Sequence, residues 1–212
     1  MTRPAHATLF ESLIPDRIRV LAADHPDTLT TRHQVAFYTG QAGDPASARD
    51  LYTPLIADQT RALGADHPDT LNTRNNLAAA VGDAGDPAGA RDLYTLLIAD
   101  QTRILGADHP DTLNARHNLV FYTGQAGDPA GARDLYGPLV ADQTRVLGTD
   151  HPDTLSTRQA LAFYTGQAGD PAGACDLFES LVADRTRILG ADHPDTVFCR
   201  ERLAFWAAAQ AT

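Results

Sequence analysis

Residues 67–108 read HPDTLNTRNNLAAAVGDAGDPAGARDLYTLLIADQTRILGAD, and this stretch decides the fold because nearly the same 42 residues recur on either side of it. The word His-Pro-Asp-Thr begins at His25, His67, His109, His151 and His193, 42 residues apart at every step. Residues 25–66 and 109–150 differ at only ten positions. A fixed period of this length marks an architecture in which one repeat cannot bury its apolar face alone and does so by stacking on its neighbours.

Within residues 67–108 the apolar spacing predicts two helices. Leu71, Leu77, Ala78 and Val81 fall on one helical face. Asp66 or His67 can cap the start, and Pro68 is tolerated in the first turn, where its missing N–H would be unpaired anyway. This helix A, of roughly 15 residues, should stop at Gly85, which suits a left-handed C-cap. Asp86 then serves as N-cap and Pro87 as the first residue of helix B. Leu93, Leu97, Ile98 and Leu105 line one face of helix B until Gly106 ends it, after about 19 residues or roughly 28 Å.

The flanks keep the same frame. Leu9-Phe10-Glu11-Ser12-Leu13 matches Leu177-Phe178-Glu179-Ser180-Leu181, four periods on. Residues 1–24 therefore read as an orphan helix B, residues 25–66, 67–108, 109–150 and 151–192 as full repeats, and residues 193–212 as an orphan helix A. The sum is an all-α chain of about ten helices, expected to form a single domain over 1–212.

Composition excludes several functions. No stretch approaches the roughly 18 apolar residues that would cross a bilayer, and residues 1–7 lack the layout of a signal peptide. A cytoplasmic, reduced setting fits the two cysteines, Cys175 and Cys199, which are too few for a disulfide framework. Antiparallel packing should hold them at opposite ends of their helix pair, as free thiols, beyond the roughly 7 Å Cα separation that a disulfide spans. The net charge is -10, and all 17 basic residues are arginine. Such acidity repels phosphate and argues against nucleic acid as a partner.

Asn76-Leu77-Ala78, then Gly85, Ala90, Tyr94 and Leu97, resemble the signature of tetratricopeptide repeats. The 42-residue length, the His-Pro-Asp-Thr opening and the Leu-Gly-Ala-Asp ending look like the kinesin-light-chain type, which also occurs in bacterial proteins and in signalling ATPases. The resemblance implies an α-solenoid, wound as a right-handed superhelix of helix-turn-helix units, and protein binding as its use. Two departures stand out. The tyrosine expected late in helix A is replaced by Thr39, Val81, Thr123 and Thr165, and the large residue expected early by Arg32, Arg74, Arg116 and Arg158.

No residue reads as catalytic, and neither cofactor nor metal is expected. The His-Pro-Asp-Thr histidines stand one repeat apart, too far to share an ion at Zn–N distances near 2.1 Å. Asp58, Asp100, Asp142 and Asp184 sit in equivalent settings, whereas acid–base catalysis needs carboxylates tuned apart. They are expected on solvated faces or paired with Arg32 and its copies. Ser12 and Ser180 lack a nucleophile elbow. Helix-interior Gly40, Gly82, Gly124 and Gly166 each cost about 0.5–1 kcal/mol against alanine and suggest close approach of a neighbouring helix or a ligand backbone. Pro54 and Pro138 fall inside B helices, where each removes a backbone donor and predicts a kink.

Three functions remain. By the resemblance, helix A lines the concave side, and a peptide-binding groove there would use His33, Phe37, Asn72, Asn75, Asn114, His117, Phe121, Gln159, Phe163 and Phe205, amides pairing with a peptide backbone and phenylalanines anchoring side chains. The same phenylalanines could instead pack between A helices. A second reading is self-assembly, head-to-tail or ring-forming, through the unpaired terminal helices and their Leu9, Phe10, Leu13, Phe198 and Trp206. Its bland counterpart is that these side chains cover the last layer, or that the chain is a piece of a longer protein. The third reading is the regulatory or sensor arm of a larger signalling complex.

Overall fold

Every helix from Pro26 onward starts where a proline meets a side chain that can accept a hydrogen bond. The computed structural model describes residues 5–210, with side chains from Phe10 onward except Glu11. Among the described residues it is built of ten α-helices and no strand: α1 Ala5–Leu21, α2 Pro26–Gln41, α3 Pro45–Ala62, α4 Pro68–Asp83, α5 Pro87–Leu105, α6 Pro110–Gln125, α7 Pro129–Leu147, α8 Pro152–Gln167, α9 Pro171–Leu189 and α10 Pro194–Gln210. The even-numbered members are the A helices and the odd-numbered ones the B helices.

Both kinds of cap repeat. At every A helix the histidine is the cap: Nδ1 of His25, His67, His109, His151 and His193 accepts from the N–H of the aspartate two residues on, at 3.2 Å. Those aspartates sit in the first turn, where a negative charge opposes the helix dipole. At the B helices Asp44, Asp86, Asp128 and Asp170 accept from the N–H three residues later at 2.8–3.0 Å. Gly85 between the helices has φ +100°, a left-handed backbone that an L side chain resists.

The B helices bury one stripe at i, i+4, i+7 and i+11: Ala48, Tyr52, Leu55 and Gln59 in α3, Ala90, Tyr94, Leu97 and Gln101 in α5, Ala132, Tyr136, Leu139 and Gln143 in α7, Ala174, Phe178, Leu181 and Arg185 in α9. The expected stripe was displaced to one side of this: Leu97 is central, but Leu93, Ile98 and Leu105 are only partly buried. Small alanine and large aromatic one turn apart form the core-facing ridge, and each leucine at the centre contributes about 1.5–3 kcal/mol by leaving water. The A helices answer with Leu29, Leu71, Leu113 and Leu155 at their starts and Ala36, Ala78, Val120 and Ala162 further on.

The chain divides into two compact units, Met1–Ala107 and Asp108–Thr212. In the first, α1 to α5 pack each against the next, and α2 also touches α4. In the second, α6 to α10 do the same, and α8 touches both α6 and α10. The interior glycines find their reason in the second unit. A β-carbon on Gly124 would collide with Cε1 and Cζ of Tyr164, and one on Gly166 would stand about 2.5 Å from Cε2 and Cζ2 of Trp206. α3 and α7 run on as helices through Pro54 and Pro138.

Cys175 and Cys199 are free and buried. Gln210 at the end of α10 donates to Cys175 Sγ at 3.0 Å near the start of α9, while Arg185 in the last turns of α9 donates to Cys199 Sγ at 3.1 Å. The thiols therefore lie at opposite ends of the α9–α10 pair. Burial pushes the Cys199 thiol pKa up, against the opposing pull of Arg185.

Candidate functional site

The A helices of the second unit, α6, α8 and α10, leave a hollow of about 430 Å³. Phe121, Gln159 and Phe163 line it with His117, and Phe198 and Arg202 of α10 close it. A second hollow of about 340 Å³ shares His117 and Ser156 with the first and extends it past Asn114. The structure thus joins five of the residues singled out for a groove, His117, Phe121, Gln159, Phe163 and Asn114, and adds Phe198, singled out for self-assembly.

The walls are held from behind. Tyr164 stacks on Tyr136 with centroids 5.7 Å apart, and its hydroxyl donates to the Phe121 carbonyl at 3.3 Å. Phe163 meets Tyr164 edge-on at 5.2 Å, as Phe121 meets Tyr122 at 5.1 Å. Gln159 accepts at 2.6 Å from Arg185, which is 4% exposed and also donates to the Asp195 carbonyl at 3.1 Å. That bond fixes the oxygen of the Gln159 amide.

Arg202 escaped the sequence reading. Its guanidinium carbon lies 5.3 Å from the Phe198 ring centre and 5.7 Å from that of Phe205, a cation–π pair on one helical face. Its buried Nε has no hydrogen-bond partner. A signal existed: the positions answering 202 in the earlier repeats hold Gln34, Asn76, Asn118 and Ala160, so Arg202 brings the one charge to that column.

His33 and His117 occupy the same position in different repeats but differ in their partners. Asn76 donates to His33 Nε2 at 3.2 Å, and Thr73 Oγ1 lies 2.9 Å from Nδ1. Since Thr73 spends its proton on the Asp69 carbonyl, Nδ1 carries the hydrogen and the ring is a neutral strut between α2 and α4. His117 keeps the threonine, Thr157, at 3.1 Å, but Ala160 stands where Asn76 would, and the ring borders both hollows. Burial lowers the pKa of both imidazoles, with Asp69 and Asp153 respectively pulling the other way.

In the first unit Phe37 is exposed and lines a smaller hollow, Asn72 is exposed, and the Asn75 carbonyl accepts from Tyr94 at 3.1 Å. At the ends, Phe205 is 54% exposed, whereas Trp206 is buried against Gly166 within its own unit. Phe10 stacks on Tyr38 at 5.7 Å, Leu13 is exposed, and the Leu9 side chain lies outside the described residues.

The repeated aspartates are paired as expected. Arg32, Arg74, Arg116 and Arg158 donate to Asp58, Asp100, Asp142 and Asp184 at 2.7–2.8 Å, tying helix A to helix B of each repeat. Arg103, Arg145 and Arg187 form two-pronged bonds to Asp66, Asp108 and Asp150 at 2.6–3.1 Å. Arg32 foremost, with Arg61, holds the Asp58 carboxyl below its usual range. Among the described residues no three His, Cys, Asp or Glu side chains converge as metal ligands, and no helix is long and apolar enough to cross a membrane.

The sequence profile of the tetratricopeptide repeat matches residues 28–69, 70–111, 112–153 and 154–195, the same period phased three residues later than His-Pro-Asp-Thr. No curated protein matches the chain significantly. Among solved structures, a kinesin-light-chain-type protein of nearly identical TPR-like repeats from Podosopora anserina is 26% identical, covers 86% of this chain with 87% of its own, and superposes with a TM-score of 0.75. BtubC from P. vanneervenii is 17% identical over 97% of this chain and 83% of its own, with a TM-score of 0.79, a likeness of fold. MamA, 16% identical over 84% of this chain and 90% of its own, reaches 0.59. With four in-phase matches over helices that pair as helix-turn-helix units, the chain belongs to the tetratricopeptide repeat family.

Proposed function

We propose that the chain is a non-enzymatic, cytoplasmic scaffold that holds a peptide segment of another protein against the A helices, foremost in the groove of the second unit. The observation that carries this reading is the hollow of about 430 Å³ in which Phe121, Phe163 and Phe198, with Phe178 behind them, stand beside Gln159 and Arg202. Apolar walls with a few fixed polar groups suit a peptide, the rings taking side chains and the amide and guanidinium donors meeting backbone carbonyls. The unbroken 42-residue period supports treating residues 1–212 as one array of repeats.

The test is selection of a displayed random dodecapeptide library on the chain, followed by fluorescence anisotropy of the enriched peptides. Binding should weaken about tenfold or more on Phe163→Ala or Phe121→Ala, the loss typical of a buried aromatic anchor. Enriched peptides indifferent to both changes would defeat the reading, as would the absence of any enrichment.

Self-assembly is the second reading, favoured by the exposed Leu13, Ile18 and Val20 on α1 and Phe205 on α10. Light scattering coupled to size exclusion decides it: a mass that stays at 22.7 kDa across concentration removes it, and a growing series establishes it.

A further inference from the structure

One column of the repeat fills the space between successive A helices with a ring. In the second unit Tyr164 occupies it, wedged between Gly124 of the preceding A helix and Tyr136 of the intervening B helix. Trp206 repeats the arrangement over Gly166, in one apolar cluster with Phe178. In the first unit Tyr38 takes the corresponding place on Phe10 of α1. Repeat two departs: the corresponding residue is Ala80, and the phenylalanine that precedes the ring elsewhere is Ala79.

The walls of the missing ring are nevertheless present. Gly40 answers Gly124, and Tyr52 answers Tyr136. A β-carbon on Gly40 would meet only Ala48 of the neighbouring helices, at 3.3 Å, where one on Gly124 would collide with Cε1 and Cζ of Tyr164. An open cavity of about 130 Å³ remains, lined among others by Phe37, Gly40, Gln41, Tyr52, Ala80 and Asp83.

We propose that this cavity is a socket for an aromatic side chain, tyrosine foremost, presented by a basic segment of a partner protein. The occupant is read from the chain's own packing, since the equivalent space in the second unit is filled by tyrosine, with its hydroxyl on the carbonyl of Phe121. The Phe37 carbonyl holds the matching place in the first unit. The hollow is close in size to the enclosed apolar cavity of about 150 Å³ that takes up benzene, and its open mouth leaves room for the rest of a tyrosine side chain. Charge sets the neighbours of the ring: a net charge of -10 favours flanking arginine or lysine. The socket shares no residue with the groove of the second unit, so the two readings stand or fall separately.

The experiment titrates p-cresol, the tyrosine side-chain analogue, and then the capped peptides Arg-Tyr-Arg and Arg-Ala-Arg into the full ¹⁵N-labelled chain. Saturable shifts of the Gly40 and Ala80 amides are expected with p-cresol and the tyrosine peptide, and at least tenfold weaker binding of the alanine peptide. Ala80→Tyr should supply the missing ring, raise Tm and weaken p-cresol binding at least tenfold. Ala80→Leu, a smaller filling, should weaken it likewise if the tyrosine variant does not fold. No shifts in the wild type, shifts that persist in the filled variants, or equal binding of the two peptides would overturn the proposal. A concentration-dependent dimer that Ala80→Tyr abolishes would overturn it in favour of a second copy as the occupant.

Discussion

Trp206 packs its indole onto the α-carbon of Gly166 so closely that a β-carbon there would stand about 2.5 Å from Cε2 and Cζ2. Gly166→Ala must therefore displace the indole, and overpacking of this kind costs about 1–3 kcal/mol. Gly137, also inside a helix, meets no side chain of a neighbouring element at the position a β-carbon would take, and only Pro138 next to it crowds that position. Thr53 stands before Pro54 at the same place in α3, so a β-carbon is accommodated there, and Gly137→Ala should change stability by less than about 1 kcal/mol. Urea denaturation should show a clear loss for Gly166→Ala and little change for Gly137→Ala, and equal losses would contradict the packing described.

Asp58 accepts from both Arg32 and Arg61, at 2.7 and 2.6 Å. These bonds lower its folded pKa beneath the ordinary 3.8, so their contribution is present above that value and fades as pH falls below it. Asp58→Asn should cost about 1 kcal/mol at pH 7 for a pair still partly open to solvent. The difference between variant and wild type should shrink on acidification toward pH 3, measured by chemical denaturation at each pH.

For His33 and His117, burial lowers the folded pKa beneath the ordinary 6.5. Between that value and the lower folded one, the unfolded chain binds more protons, so stability falls as pH drops through this window. NMR titration of the imidazole Cε1–H signals should place both midpoints below 6.5. A midpoint at or above 6.5 for His33 would contradict its role as a neutral strut.

Pro138 interrupts the hydrogen-bond ladder of α7 at an exposed position, where α5 carries Leu96 and α9 carries Ser180. Pro138→Ala restores a donor and should raise stability by about 1–3 kcal/mol, within the cost of an interior helical proline. Thermal unfolding checks the direction.

The helices were legible because their punctuation is local: His67-Pro68-Asp69 and Asp86-Pro87 carry cap, first residue and dipole partner within three positions. The Arg32–Asp58 pairing was legible for a related reason, since two charges repeating in phase on facing helices have one economical arrangement. Side-chain register was less so. A face built on leucine alone missed Ala90, Tyr94 and Gln101, because the core stripe of the B helices mixes the smallest and largest side chains with an amide. A tyrosine does stand one residue before Thr39, Thr123 and Thr165, at Tyr38, Tyr122 and Tyr164, and the packing of Tyr164 onto Gly124 emerges only when two A helices are laid side by side. Arg202 and Phe198 enter the groove for the same reason. Their neighbours come from α8, about 40 residues away in sequence.

The arginine–aspartate rungs of the repeats can be dismantled from one side only. A guanidinium keeps its proton at any pH that leaves the backbone intact, so alkaline buffers leave every rung charged and only acid releases it. The choice of cation has a further effect on surface chemistry. With 17 arginines and no lysine, the 212 residues carry no ε-amino group, and reagents or enzymes that acylate, methylate or conjugate lysine find nothing to modify on any helix.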